Sequence, residues 1–313
     1  MKHTTVIISS ILVMVIAQHS WAGLMEDANK SLSSRDYNKA FSIYSAEAKK
    51  GNADAQLRLG LMYENGQSQP QNYRMAEKLY RQAAEQGNAS AQALLGFLYL
   101  NADSLLQDNK EAVKWLRKAA DQRNVMAQYS LGLKYNDGVS VPQDFKEAVK
   151  LYRMAAEQGY SDAQCSLGFK YYEGQGIPQD YTEAINWWWK AADQGNARAQ
   201  SALGFMYSKG QGLQQDDKLA VKLYRMAAER GNANAQLNLG IMYRLGQGVP
   251  ENFVDAYCWV SLAAANGEKQ ARDAMTLIGK EMTSAQIEQA QQKAKLIWEK
   301  PTGKVKQQTN IPE

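Results

Sequence analysis

The chain repeats itself at a fixed interval of 36 residues, and this period constrains the fold more than any single motif. The phrase G-N-x-x-A-Q-x-x-L-G-x-x-Y recurs with small changes and without insertions, beginning at Gly51, Gly87, Arg123, Gly159, Gly195 and Gly231. Residues 36–50 match the second half of an earlier copy, and a degraded copy begins at Gly267. A unit of this length buries its apolar face by stacking on its neighbours. The period therefore predicts a repeat array.

Each copy predicts two helices, and its positions are numbered here from its first residue. Positions 5, 9 and 13 are Ala, Leu and Tyr in every copy, which makes one face of a first helix. Asp or Asn at position 22 predicts the N-cap of a second helix, and positions 26, 29, 30 and 33 form its apolar stripe. Glu111, Glu147 and Glu183 follow three of these caps at capping-box spacing.

Glycines mark the contacts and ends of these helices. Position 10 is glycine in every copy, although glycine inside a helix costs roughly 1 kcal/mol against alanine. We therefore expect the helices to cross too closely there for a Cβ atom. The glycine that opens each copy predicts a left-handed C-terminal cap for the second helix of the preceding copy. In repeat three this glycine is replaced by Arg123. We interpret Gly174-x-Gly176-x-Pro178 as a turn between helices rather than a phosphate loop, and expect a reshaped loop over 100–107.

These helix pairs resemble the Sel-one-like repeat (SLR) family, which is related to tetratricopeptide repeats. The resemblance covers residues 36 to about 266 and rests on six in-phase copies. It implies an all-α fold, an α/α solenoid that forms a right-handed superhelix with the first helices on its concave side. It also implies an adaptor that holds other proteins. Bacterial members of the family are often exported and tied to envelope biology or host contact.

The N-terminal residues 1–22 predict a cleavable signal peptide. Lys2 precedes the apolar stretch 6–17, which is shorter than the ~20 residues that span a bilayer, and Ser20-Trp21-Ala22 fits a cleavage site. We expect a periplasmic or secreted protein without membrane insertion after cleavage. We divide the mature chain into an N-terminal cap with a half repeat (23–50), six repeats (51–266), C-terminal capping helices (267–299) and a disordered tail (300–313).

Composition argues against most catalytic and metal-binding classes. Both histidines, His3 and His19, lie in the signal, so the mature chain has no imidazole for general-base or metal chemistry. Cys165 and Cys258 fall two repeats apart, beyond the ~7 Å reach of a disulfide, and we expect two free, buried thiols. The formal net charge of +4 is weak and evenly spread, which argues against nucleic acid. We predict no cofactor, no metal and no catalytic residue.

The alternative is a penicillin-binding or β-lactamase-like envelope enzyme. Cysteine-rich SLR proteins linked to these activities carry a cysteine pair in each repeat, and this chain has none. A serine acylation site needs S-x-x-K, and no serine here has a lysine three residues on. The nearest related string is Pro301-Thr302-Gly303-Lys304, in the tail. We therefore favour a scaffold over an enzyme, and nitrocefin turnover by the purified protein separates the two.

Position 11 of the first helix predicts a binding groove for a protein or peptide. It lies away from the 5/9/13 face but is always apolar, while positions 7 and 14 vary between copies. An apolar floor with a varied rim suits a bound peptide or helix. The alternative is that position 11 packs between neighbouring helices, and full burial there removes the groove. The predicted groove residues are Phe97, Tyr129, Leu133, Phe169, Tyr172 and Phe205.

The second helix of repeat four carries three tryptophans in a row and predicts a second, convex docking patch. Trp187 and Trp188 fall on the apolar stripe, but Trp189 stands where four other copies carry Arg. Thr182 and Asn186 likewise replace Lys or Arg of an outer basic ridge. Exposed aromatic residues often anchor protein interfaces. The alternative is neutral sequence variation on a solvent-exposed helix face, which gives the same pattern. The sequence identifies neither the partner nor the oligomeric state. A further hypothesis is that the protein is a secreted factor that binds host receptors.

Overall fold

The computed structural model describes residues 23–100 and 107–299, and the regular structure within those residues is entirely α-helical. The predicted signal peptide, most of the predicted reshaped loop and the predicted tail lie outside the described residues. No helix in the described part is long and apolar enough to cross a membrane. The chain divides into two compact units, one ending at Gln143 and the other beginning at Asp144.

The first unit consists of consecutive helix pairs, in which each helix from α2 to α6 packs against the one that follows it. Asn52 and Asn124 cap the first helices of repeats one and three, through side-chain oxygens that accept from Ala55 N and Ala127 N. The helices are α1 (23–33), α2 (Tyr37–Lys49), α3 (Ala53–Asn65), α4 (Tyr73–Glu85), α5 (Ala89–Leu100), α6 (Asn109–Asp121) and α7 (Val125–Asp137).

The second unit continues the same alternation and ends in two further helices. Its helices are α8 (Phe145–Glu157), α9 (Ser161–Glu173), α10 (Tyr181–Asp193), α11 (Ala197–Lys209), α12 (Asp217–Glu229), α13 (Ala233–Leu245), α14 (Phe253–Ala265), α15 (Lys269–Gly279) and α16 (Ser284–Glu299). Thr283 and Gln286 form a reciprocal capping box at the start of α16. The buried Ala290 and Ala294 of α16 join the core of this unit, which includes α14.

The glycine at position 10 lies where the two helices of a repeat touch, as the sequence predicts. A Cβ atom on this glycine falls 2.5–2.8 Å from a side chain at position 30 of the second helix in five repeats. At Gly168 the obstacle is the indole of Trp188, which is only 1% exposed. Trp187 and Trp188 are both buried, so the core interpretation of these two is confirmed.

The predicted helix ends are also confirmed. The Asp or Asn at position 22 caps all six second helices, with its side chain accepting from a backbone N–H three residues on at 2.9–3.1 Å. The reciprocal half of the capping box is wrong at Glu111, whose carboxylate instead accepts from Trp115 Nε1 and Lys114. Arg123 adopts a left-handed φ of 65°, and the glycines at this position in the other copies are also left-handed, at 84–91°.

A buried glutamine ladder joins neighbouring repeats. Position 6 is glutamine in each copy, and its Nε2 donates to an alanine carbonyl of the preceding second helix at 3.0–3.3 Å. Gln164, for example, bonds Ala156 O and accepts from Gln194 Nε2 at 2.8 Å. Buried amides need such partners. The ladder thus fixes the register of one repeat on the next.

Candidate functional site

The predicted groove residues of the first unit lie on the first helices of repeats two and three. Phe97, on α5, is half-buried and packs against the local core cluster, which includes Leu94 and Tyr99. Tyr129 and Leu133, one turn apart on α7, are also half-buried. All three side chains therefore leave part of an apolar surface exposed, and Phe97 also packs on the core.

In the second unit, Phe169, Tyr172 and Phe205 line one cleft of about 420 Å³. The Phe169 ring meets Trp188 edge-on at 5.0 Å, and the Tyr172 ring lies 5.7 Å from the same indole. Phe205 is 37% exposed, and the equivalent Ile241 of repeat six is 36% exposed. Position 11 is therefore not fully buried between repeats, so an apolar surface is available there for binding.

The cleft also has polar walls. Its lining includes Arg198 and Ser201 from α11, and Asn234 and Asn238, which lie one helical turn apart on α13. The guanidinium of Arg198 stands over the Phe169 ring, 5.4 Å from its centroid. Such a cation–π contact holds the charge at the edge of the aromatic floor. The cleft therefore offers an apolar base, one positive charge and several carboxamides.

The predicted convex patch has a different geometry. Thr182 and Asn186 are exposed on α10, but Trp189 is half-buried and meets Tyr207 of the next repeat edge-on, with ring centroids 6.3 Å apart. In four other repeats the arginine at this position donates to the equivalent tyrosine, as Arg225 does to Tyr243 at 2.6 Å. The side chain at position 31 therefore also links adjacent repeats, a role that the interpretation as an outer basic ridge did not include.

The two thiols lie inside the second unit. Cys165 and Cys258 are free and fully buried, as the sequence predicts. Burial raises the pKa of each thiol to about 12, which leaves the nucleophilic thiolate almost unpopulated at neutral pH. Within the described residues, no group of three or more His, Cys, Asp or Glu side chains could hold a metal ion.

The 36-residue period is also recognised by a family model. The model described as "Sel1 repeat" matches six consecutive segments: residues 53–88, 89–124, 125–160, 161–196, 197–232 and 233–268. The chain belongs to the Sel1 repeat family. Its fold class is accordingly the all-α solenoid of Sel1 repeats. Sel1 repeats generally act as scaffolds for protein–protein interaction and are typically not enzymes.

Two solved structures of Sel1-repeat proteins are similar to this chain. One is a protective antigen of uropathogenic Escherichia coli strains with an SLR fold, 35% identical with a TM-score of 0.73. The other is a Sel1 repeat protein from Oxalobacter formigenes, 32% identical with a TM-score of 0.68. Each match covers 82% of this chain, which spans 56% of the first protein and 76% of the second. A comparison with curated proteins gave no match.

Proposed function

We propose that the mature chain is an exported scaffold that holds a protein partner through the first helices of its Sel1 repeats. The observation that carries this proposal is the partial exposure of the apolar side chains at position 11, above all Phe205 and Ile241. Contiguous exposed apolar surface marks interaction sites in soluble proteins. On the first unit, taken by itself, the half-buried Phe97, Tyr129 and Leu133 offer an apolar surface of the same kind.

Some repeat positions stabilise the fold and others vary between copies, and this difference supports the assignment. The residues at positions 6, 9, 10 and 30 hold helices or repeats together, as Gln164, Gly168 and Trp188 do in repeat four. Position 14 differs between copies on the same side as position 11, whereas position 7 is buried in three copies, as at Cys165 and Leu237, and contributes no rim there. Varied side chains around an apolar floor give a scaffold its choice of partner.

We place this function in the bacterial envelope or in contact with a host. The signal-like residues 1–22 support export. The similar protein from uropathogenic Escherichia coli is a protective antigen, which supports a role in contact with a host. Cell fractionation tests the placement, because we expect the mature chain in the periplasm or the medium. Retention of an uncleaved chain in the cytoplasm would contradict export.

The binding surface is tested by capture of partners from envelope extract with the mature chain as bait. Phe205→Glu places a charge on the exposed apolar floor, while Asn186→Glu places the same charge on the convex patch, and both positions are exposed enough to preserve folding. We expect a partner that is captured by the wild type and Asn186→Glu but lost with Phe205→Glu. Capture that survives Phe205→Glu and fails with Asn186→Glu assigns binding to Thr182, Asn186 and Trp189 instead.

A further inference from the structure

The cleft in the second unit has an aromatic base suited to an apolar side chain of a bound peptide. Phe169 and Phe205 stand on neighbouring first helices, α9 and α11, and both line its 420 Å³. Trp188 closes the bottom, because its indole is buried and its Nε1 donates to Cys165 O at 3.2 Å. A ring or aliphatic chain of a bound peptide therefore finds a dry, rigid base there.

The charge at the rim of this cleft is positive. Arg198 is the one charged residue among those lining the cleft, and among the described residues it forms no ion pair. The equivalent position of repeat four carries Asp162, whose carboxylate accepts from Asn196 Nδ2 at 2.8 Å. Arg198 lies in the first turn of α11, where the helix dipole is also positive. An anionic group of the ligand complements this rim.

The opposite wall offers hydrogen bonds that suit a peptide backbone. Asn234 and Asn238 lie one turn apart on α13, and both line the cleft. A carboxamide has one acceptor oxygen and two donor hydrogens, so it can pair with the N–H and C=O groups of an extended chain. Ile241 extends the exposed apolar surface beyond the cleft, which lets a bound chain continue past it.

We propose that this cleft binds an internal peptide segment of the partner in which an apolar side chain is followed by an acidic side chain. The apolar group lies on Phe169 and Phe205, the carboxylate pairs with Arg198, and Asn234 and Asn238 hold the backbone. This inference rests on the proposed scaffold function and specifies the chemistry of the partner. It assigns specificity to Arg198, since a guanidinium binds a carboxylate in a bidentate fork.

Fluorescence anisotropy with three labelled peptides tests the proposal on the mature chain. The probes share Gly-Ser flanks and contain a central Phe-Glu pair, a central Phe-Lys pair, or a Phe-Gln pair with a free C-terminal carboxylate, and the first two are amidated. We expect the Phe-Glu probe to bind at least tenfold more tightly than the other two. Arg198→Lys should weaken this preference, because an ammonium group lacks the bidentate fork, and Arg198→Glu should reverse it toward Phe-Lys. Lys222→Glu, on the exposed side of α12, is the matched control and should change nothing.

The proposal is overturned if the wild type binds none of the probes, if it binds Phe-Glu and Phe-Lys equally, or if Arg198→Glu leaves the preference intact. Tighter binding of the probe with the free carboxylate overturns it too, since the occupant is then a chain end. These outcomes do not refute the scaffold function if Phe205→Glu still abolishes capture of a partner from envelope extract. The opposite outcome is also distinguishable. If partner capture does not depend on Phe205 but the wild type still prefers the Phe-Glu probe, the proposed scaffold function is refuted and the proposed peptide preference of the cleft is retained.

Discussion

Gly168→Ala is the sharpest test of how the two helices of a repeat fit together. A Cβ atom at this position falls 2.5 Å from Trp188 Nε1 and 3.1 Å from the carbonyl oxygen of Ala184. Neither atom can yield easily, because the indole is 1% exposed and its N–H donates to Cys165 O. The substitution must therefore push the two helices apart or break the indole hydrogen bond.

The expected net loss is about 2 kcal/mol of unfolding free energy. Extra atoms in a packed core cost about 1–3 kcal/mol, and loss of the indole hydrogen bond adds about 1 kcal/mol. The higher helix propensity of alanine offsets about 1 kcal/mol of this. The sign is the important result, because alanine at an unobstructed glycine inside a helix should stabilise the chain.

Urea unfolding followed by far-ultraviolet circular dichroism measures the effect. Gly279→Ala is the matched control, because a Cβ atom there meets only a Tyr257 ring atom at 3.5 Å, an ordinary contact. We expect the control to be neutral or slightly stabilised. If Gly168→Ala also proves neutral or stabilised, the close crossing at position 10 is refuted as the reason for the repeated glycine.

Three further substitutions or treatments probe the contacts between repeats and the buried thiols. Trp189→Arg should change the unfolding free energy by no more than about 0.5 kcal/mol, because the new arginine can form the Arg–Tyr hydrogen bond of the other repeats. Trp189→Ala removes the contact with Tyr207 and should lower the unfolding free energy more than Asn186→Ala does. Gln164→Leu should cost about 1 kcal/mol in urea unfolding, more than Gln194→Leu, because only the first removes a buried donor. A thiol reagent at pH 8 should label no cysteine of the native chain and two in denaturant, since burial holds each thiol pKa at about 12; rapid native labelling contradicts this.

The repeat let the sequence predict most of the fold. Each local requirement recurs six times, so the caps at position 22 and the close contact at Gly168 stand out from accidental residues. The glutamine of position 6 was visible in every copy, but periodicity alone does not say that a polar residue is buried. Its role needed the distance from Gln164 to Ala156 of the previous repeat.

The candidate site depended more on geometry than on periodicity. The sequence indicated that Phe169, Tyr172 and Phe205 belong together, and the structure places all three around one cleft. It did not indicate Arg198, because the stacking of Arg198 on Phe169 depends on the spacing between α9 and α11. The link from position 31 to the next repeat was missed for the same reason. The sequence did contain a signal for this link. The tyrosine at position 13 of the next repeat is present in every copy, including Tyr207, which contacts Trp189 where other repeats have arginine.

Hydrogen exchange of the mature chain with and without a captured partner tests the central claim most directly. The claim is that first helices bind and second helices support them. We predict slower amide exchange in α9, α11 and α13 on binding, with α10 and α12 unchanged. Slower exchange confined to α10 and α12 would contradict the assignment of the binding surface to the first helices.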